Sequence, residues 1–116
     1  FLEKYTRMDK IVSITDFRSL DRTPEGNRFL VYSMFPKAVV SVRISYADEE
    51  RQMVAVQVGH SIFNRHCNVN AGKMLARFEG GGHPGAGACR FHRDKAKQYI
   101  PAILEILLNN KRSFLD

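Results

Sequence analysis

The chain has 116 residues and a mass of 13.3 kDa, enough for one hydrophobic core and too little for two. With 44% hydrophobic and 26% charged residues it is not a disordered, collagen-like or coiled-coil protein, and no apolar run approaches the roughly 20 residues of a membrane span. The net charge of +6 comes entirely from residues 51–116, where ten Lys/Arg stand against four Asp/Glu, while residues 1–50 hold eight of each. All four histidines and seven of the eight glycines share that second part. Base, imidazole and bare backbone together are what an anion site needs. Arg90, Arg93, Lys95 and Lys97 are read more simply, as a solvated basic face. Cys67 and Cys89 form neither a disulfide framework nor a CxxC pair, so a reducing, cytoplasmic setting is expected.

The chain opens on Phe1 rather than methionine, and Phe1, Leu2, Tyr5 and Met8 recur at helical spacing. It is therefore read as a piece of a longer protein, with residues 1–9 the end of a linker helix and 10–116 the domain. Ile11 to Thr15 predicts a short strand, Asp21 to Asn27 a turn, and Phe29 to Phe35 an apolar run ended by Pro36. Val40 to Tyr46 alternates cleanly, burying Val40, Val42, Ile44 and Tyr46, and a second alternating run from Met53 to Val58 makes an antiparallel hairpin with it. Asn70 is a good N-cap for a short helix with the apolar stripe Ala71, Met74, Leu75 and Phe78, which Gly80 is expected to stop. Ala86 to Phe91 reads as a strand of small residues. Past Asp94 as a cap, an amphipathic helix runs to about Asn109, and Pro101 must bend or restart it. The sum is an α+β domain, a mixed or mostly antiparallel sheet with helices packed on it.

The chemistry concentrates in Glu79-Gly80-Gly81-Gly82-His83-Pro84-Gly85-Ala86-Gly87. One left-handed residue ends a helix, and each further glycine costs about 0.5–1 kcal/mol of backbone entropy. Three in a row point to an anion or nucleotide lying against peptide groups, with the imidazole as a hydrogen-bond donor. The plainer alternative is a tight helix-to-strand loop with a surface histidine, and the residues alone leave both open.

The run GGGHPGAG, set between a short helix and a small-residue strand, resembles the GGGH-x-x-A-G signature of the C-terminal accessory domain of DHH-family phosphoesterases. These manganese-dependent enzymes include nanoRNases, phosphoadenosine-phosphate phosphatases, cyclic-dinucleotide phosphodiesterases, single-strand exonucleases and proteins labelled exopolyphosphatase. Two more segments fit: Val56 to Arg65, where the family has a strand and a substrate-facing turn, and Gly26 to Tyr32, associated with the exopolyphosphatase-like branch. Roughly residues 10 to 109 are covered. The catalytic lobe's Asp-His-His triplet is absent: the chain has six aspartates, none beside a histidine, and no adjacent histidines. The resemblance therefore implies a substrate-binding domain, inactive alone, with Mn2+ in a separate lobe and no metal or catalytic residue here. Glu79 departs from the fourth glycine that many members carry.

The resemblance further implies that His83 and the peptides of Gly80, Gly81 and Gly82 hold the phosphate or terminal nucleotide, over a wall kept thin by Ala86 and Gly87. The turn after the Val56–Val58 strand would supply donors from His60, Ser61, Asn64 and Arg65, with Arg65 gripping phosphate bidentately. Arg43 is a second candidate on its strand's polar face, where solvation is the simpler role. The implied partners are a phosphorylated nucleotide, a short oligonucleotide or polyphosphate and the chain's own N-terminal catalytic domain, with no membrane; a homodimer is compatible with all of this. The alternative function is a nucleic-acid binding module without hydrolysis, like the related domain that ends alanyl-tRNA synthetases. The spacing of His60, His66, Cys67, His83, Cys89 and His92 matches no usual zinc-ligand pair, and neither cysteine is set up as a nucleophile.

Overall fold

Alternating burial along a few strands organises the molecule, which is described here by a computed structural model covering residues 5–19, 37–61 and 67–110. The elements are β1 (Thr6–Asp9), β2 (Val12–Asp16), β3 (Val40–Tyr46), β4 (Met53–His60), α1 (Ala71–Leu75, continued by the 3-10 turn Ala76–Phe78), β5 (Gly80–His83), β6 (Ala86–His92) and, after the 3-10 turn Arg93–Lys95, α2 (Ala96–Asn109). The six strands form one mixed sheet in the order β1-β2-β3-β4-β6-β5. β2 and β3 run parallel, and the other neighbours are antiparallel. This is the single α+β domain expected from the sequence.

The predicted strand at 40–46 is β3 to the residue, and its hairpin with β4 pairs Val42 with Val58 and Ile44 with Val56. The hairpin loop closes on Asp48, whose carboxylate accepts from the backbone N–H of Gln52 at 3.0 Å and of Met53 at 2.9 Å. Val12, Ile14, Val40, Val42, Ile44, Val54, Val56, Val58, Cys89 and Phe91 form one face, sealed by Met74 and Leu75 of α1 and by Ile100, Ile103 and Leu107 of α2. Each such aliphatic side chain contributes about 1.5–3 kcal/mol by leaving water, so this face holds the fold. The opposite face carries Thr15, Ser41, Arg43, Gln57, Ala86, Ala88, Arg90, Gly81 and His83, following the cross-strand register.

Several expectations need correction. Of the helix end expected over residues 1–9, Tyr5 is helical and residues 1–4 lie outside the described residues, but 6–9 are strand: β1 pairs with β2 through a turn with Lys10 at φ 53°, and the hydroxyls of Thr6 and Thr15 meet at 2.8 Å. Over residues 6–9 pairing with an existing sheet outweighs the helical spacing, and β1 belongs to the folded unit. Asn70 caps α1 as read, accepting from the backbone N–H of Lys73 at 3.1 Å. At the start of the second helical segment the cap is His92 rather than Asp94, its Nδ1 accepting from the backbone N–H of Asp94 at 3.2 Å. α2 does not restart at Pro101. Pro101 and Lys97 are both exposed, so water can serve the Lys97 carbonyl that loses its partner. The predicted turn at 21–27 and the run at 29–35 lie outside the described residues. Among the described residues, no helix is long and apolar enough to cross a membrane.

Candidate functional site

The glycine run is an edge strand rather than a helix-to-strand loop. Glu79, not Gly80, takes the left-handed conformation that ends the helical turn, at φ 67° and ψ 36°. From there Gly80–His83 runs extended and pairs antiparallel with β6, Gly80 opposite Cys89, Gly81 opposite Ala88, Gly82 opposite Gly87 and His83 opposite Ala86. The hairpin tip is pinned from two sides. The backbone N–H of Ala71, first residue of α1, donates to the Pro84 carbonyl at 2.9 Å, and the backbone N–H of His60, last residue of β4, donates to the Gly85 carbonyl at 2.8 Å.

Most of the glycines here have an internal steric reason. A Cβ on Gly72 in α1 would collide with the Gly82 carbonyl oxygen, and one on Gly80 with the Ala88 carbonyl and the Cys89 side chain. One on Gly87 would come within 2.6 Å of the Gly81 oxygen and 3.1 Å of Leu75 Cδ1, and Gly82 sits at φ 141°, where side chains are strained. These residues let helix and hairpin lie backbone against backbone. Gly81 within the strand and Gly85 at the hairpin tip are different: a Cβ on either would meet nothing within 4 Å. Gly81 lies on the sheet face away from the helices, two residues from the exposed His83, whose side chain is on the same face.

Of the other expected site residues, the structure brings some near this strand and diverts others. His60 is half-buried at the end of β4, and its Nε2 is 2.7 Å from the Val69 carbonyl, an imidazole donor already in use. Ser61 is 3% exposed, and its backbone N–H donates to the Val39 carbonyl at 2.9 Å. Arg43 shares a cross-strand row with Gly81, through Gln57 and Ala88, but three strand spacings separate them, roughly 14 Å. Its guanidinium lies 5.1 Å from the centre of the Phe17 ring. Asn64 and Arg65 lie outside the described residues.

The electrostatics around the strand are simple. The Glu79 carboxylate binds Lys95 Nζ at 2.7 Å, and this bond, followed by one from Tyr99, holds its pKa below the usual carboxylate range. The anion introduced by Glu79 is thus directed to α2's entry turn and compensated there. Burial pushes the Cys89 thiol up to about 11 and raises that of Cys67, so neither is a thiolate near neutral pH. Among the described residues, no three His, Cys, Asp or Glu side chains are grouped to hold a metal ion.

Sequence reasoning missed Gly72, although a glycine inside a short helix, at a cost of about 1 kcal/mol against alanine, signals a close approach. It also missed the left-handed Glu79, for which no local signal exists. No protein-family model matches the chain, and no curated protein matches it in sequence. Among solved structures, the pGpG-specific phosphodiesterase PggH from Vibrio cholerae superposes with a TM-score of 0.88 at 23% identity, over 95% of this chain. The fold is that of part of a phosphodiesterase chain. The match spans 37% of the PggH chain. An uncharacterized protein from Helicobacter pylori G27 aligns over 92% of this chain and 29% of its own, at 13% identity and a TM-score of 0.43.

Proposed function

We propose that this chain is the substrate-binding domain of a phosphoesterase of the DHH type, and that β5 is where it holds a short nucleotide substrate. The observation that carries this reading is Gly81. Gly72, Gly80, Gly82 and Gly87 are accounted for by packing, whereas among the described residues nothing requires the absence of a side chain at Gly81 or, at the hairpin turn, at Gly85; of these two, Gly81 lies in the strand beside His83. A ligand lying against the strand would require that absence. His83, exposed on the same face, is positioned by the pinned hairpin tip to donate to a phosphate oxygen, and a hydrogen bond to a charged group is worth about 1.5–3 kcal/mol. The likeness in fold to part of a pGpG phosphodiesterase supports a short nucleotide, a few residues long, over polyphosphate.

The residues described here do not fit a metal centre, so no hydrolytic step is assigned to them. In the DHH type, Mn2+ in a separate lobe supplies the activated hydroxide; this domain's share is to grip and orient the phosphate. Of the earlier candidates, Gly81 and His83 carry the proposal. Gly80, Gly82 and Gly87 shape the strand beneath them, and His60 and Ser61 support the hairpin tip and the neighbouring backbone.

The test is steady-state kinetics on the full-length protein carrying His83→Ala, beside a thermal melt. A fall in kcat/KM with an unchanged Tm supports the reading. Normal kinetics towards every phosphorylated substrate tried would remove β5 from the site.

A further inference from the structure

The opposite end of the sheet holds a second candidate site. Where β2 and β3 finish side by side, a cavity of about 630 Å3 opens, lined by Tyr5, Asp16, Arg18, Ser19 and Tyr46. That size lies within the range of roughly 300–1,000 Å3 usual for small-molecule pockets. It is at the far edge of the sheet from β5 and at the other end of the strands, since His83 is aligned through Ala86 and Gly59 with Ser41, near the start of β3.

Its polar group is built rather than incidental. Arg18 is locked by Asp16 in a fork, Nε to Oδ1 at 3.0 Å and Nη2 to Oδ2 at 2.8 Å, and the Arg18 backbone N–H donates to the same Oδ1 at 3.0 Å. The carboxylate's oxygens are occupied by these donors, whereas Nη1 of Arg18 has no partner among the described residues. A guanidinium whose orientation is set by a carboxylate and whose outer edge is left over is a preorganised anion donor. Arg7 also acts on Asp16, Arg51 lies 5.8 Å from the centre of the Tyr46 ring, and the Tyr5 ring packs 5.8 Å from Phe17, over which Arg43 sits. Of the nearby acids on the β3–β4 loop, Asp48 is tied to Gln52 and Met53, and the exposed Glu49 and Glu50 do not line the cavity. The lining thus offers two aromatic rings, a hydroxyl, and one cationic edge fixed by the Asp16 carboxylate, which also lines the cavity.

We propose that this cavity is a second ligand site, taking a nucleoside monophosphate with its phosphate on the outer edge of Arg18 and its ring against Tyr5 and Tyr46. The site is independent of the role given to β5. The probe is adenosine monophosphate, titrated calorimetrically into full-length protein carrying both Gly81→Val and His83→Ala, so that binding at β5 is removed. Binding should persist there, weaken about tenfold with Arg18→Gln, the order of one charge-assisted hydrogen bond, and weaken likewise with Ser19→Glu, which puts a carboxylate at the rim. Ser19 is exposed, so that variant keeps the test alive if Arg18→Gln melts early. Adenosine alone and inorganic phosphate alone should each bind more weakly than the nucleotide. Loss of all binding with the Gly81 and His83 changes, indifference to both Arg18→Gln and Ser19→Glu, or equal binding of either half-ligand would overturn the proposal.

Discussion

At one edge of the sheet, β5 presents three glycines and a histidine; at the other, the ends of β2 and β3 present two tyrosines and an arginine clamped by an aspartate. The first surface is made by removing side chains and is held by backbone contacts from α1 and β4. The second is made by side chains that hold one another. Such a backbone surface depends on the atoms beneath it, because a Cβ on Gly72, Gly80 or Gly87 has nowhere to go. A side-chain surface is modular, and its parts can be changed singly. The two edges should therefore respond differently to mutation.

The largest effect should fall under β5. Gly72→Val drives a branched side chain into the Gly82 carbonyl and should cost about 3 kcal/mol or more of stability, the upper range for overpacking a core. A denaturant melt showing near-native stability would mean that α1 and β5 are less tightly opposed than described. Gly81→Val, only nine positions on, should leave the midpoint unchanged while weakening substrate binding, since its Cβ meets open space. A stability loss comparable to that of Gly72→Val would erase the contrast between the two glycines.

His83→Ala should follow: if β5 holds substrate as proposed, kcat/KM of the full-length protein falls by about tenfold to a hundredfold, the worth of one hydrogen bond to a charged oxygen. Its Tm should match the parent's. At the other edge the effects are smaller and depend on pH. Burial raises the Asp16 pKa, but the hydrogen bonds and charge of Arg18 outweigh this, and the carboxyl stays below its usual value. A depressed folded-state pKa contributes stability above the unfolded carboxylate range and loses it as pH falls through the folded value. The Tm difference between parent and Asp16→Asn should thus be steady near neutrality and shrink below about pH 4. A difference that grows on acidification would contradict the Arg18 fork.

The smallest effect belongs to Glu79→Gly, which loses the exposed Lys95 pair but relieves a left-handed non-glycine residue. Its Tm should stay level or rise slightly. A marked fall would show that Lys95 anchors the entry to β5.

How much of this was legible in the sequence follows from the range of the forces involved. β3, its hairpin with β4, the Asn70 cap and the stripe of α1 rest on periodicity and local hydrogen bonds, and all could be read. The Gly80–His83 run was legible as unusual chemistry but not as a strand, because glycine has no strand propensity and the pairing with β6 comes from the tertiary fold. β1 holds no glycine, but its strand state likewise comes from pairing, here with β2. The aromatic cavity left no trace in sequence, since Tyr5, Arg18 and Tyr46 are brought together only by the pairing of β2 with β1 on one side and with β3 on the other. His60 and Ser61 looked like donors to a ligand, and only the fold reveals that Val69 and Val39 already receive hydrogen bonds from them.

The pinning of the β5–β6 tip bears on how a ligand would be met. Three consecutive glycines in a free loop would sample a broad range of shapes, and closing them around a phosphate would carry an entropic penalty at each encounter. Here strand pairing and the bonds to Pro84 and Gly85 have already narrowed that range during folding. Backbone amides of β5 and β6 should accordingly exchange with solvent deuterium at similar rates with and without ligand, and association should proceed as rigid docking, without a closing step that limits its speed.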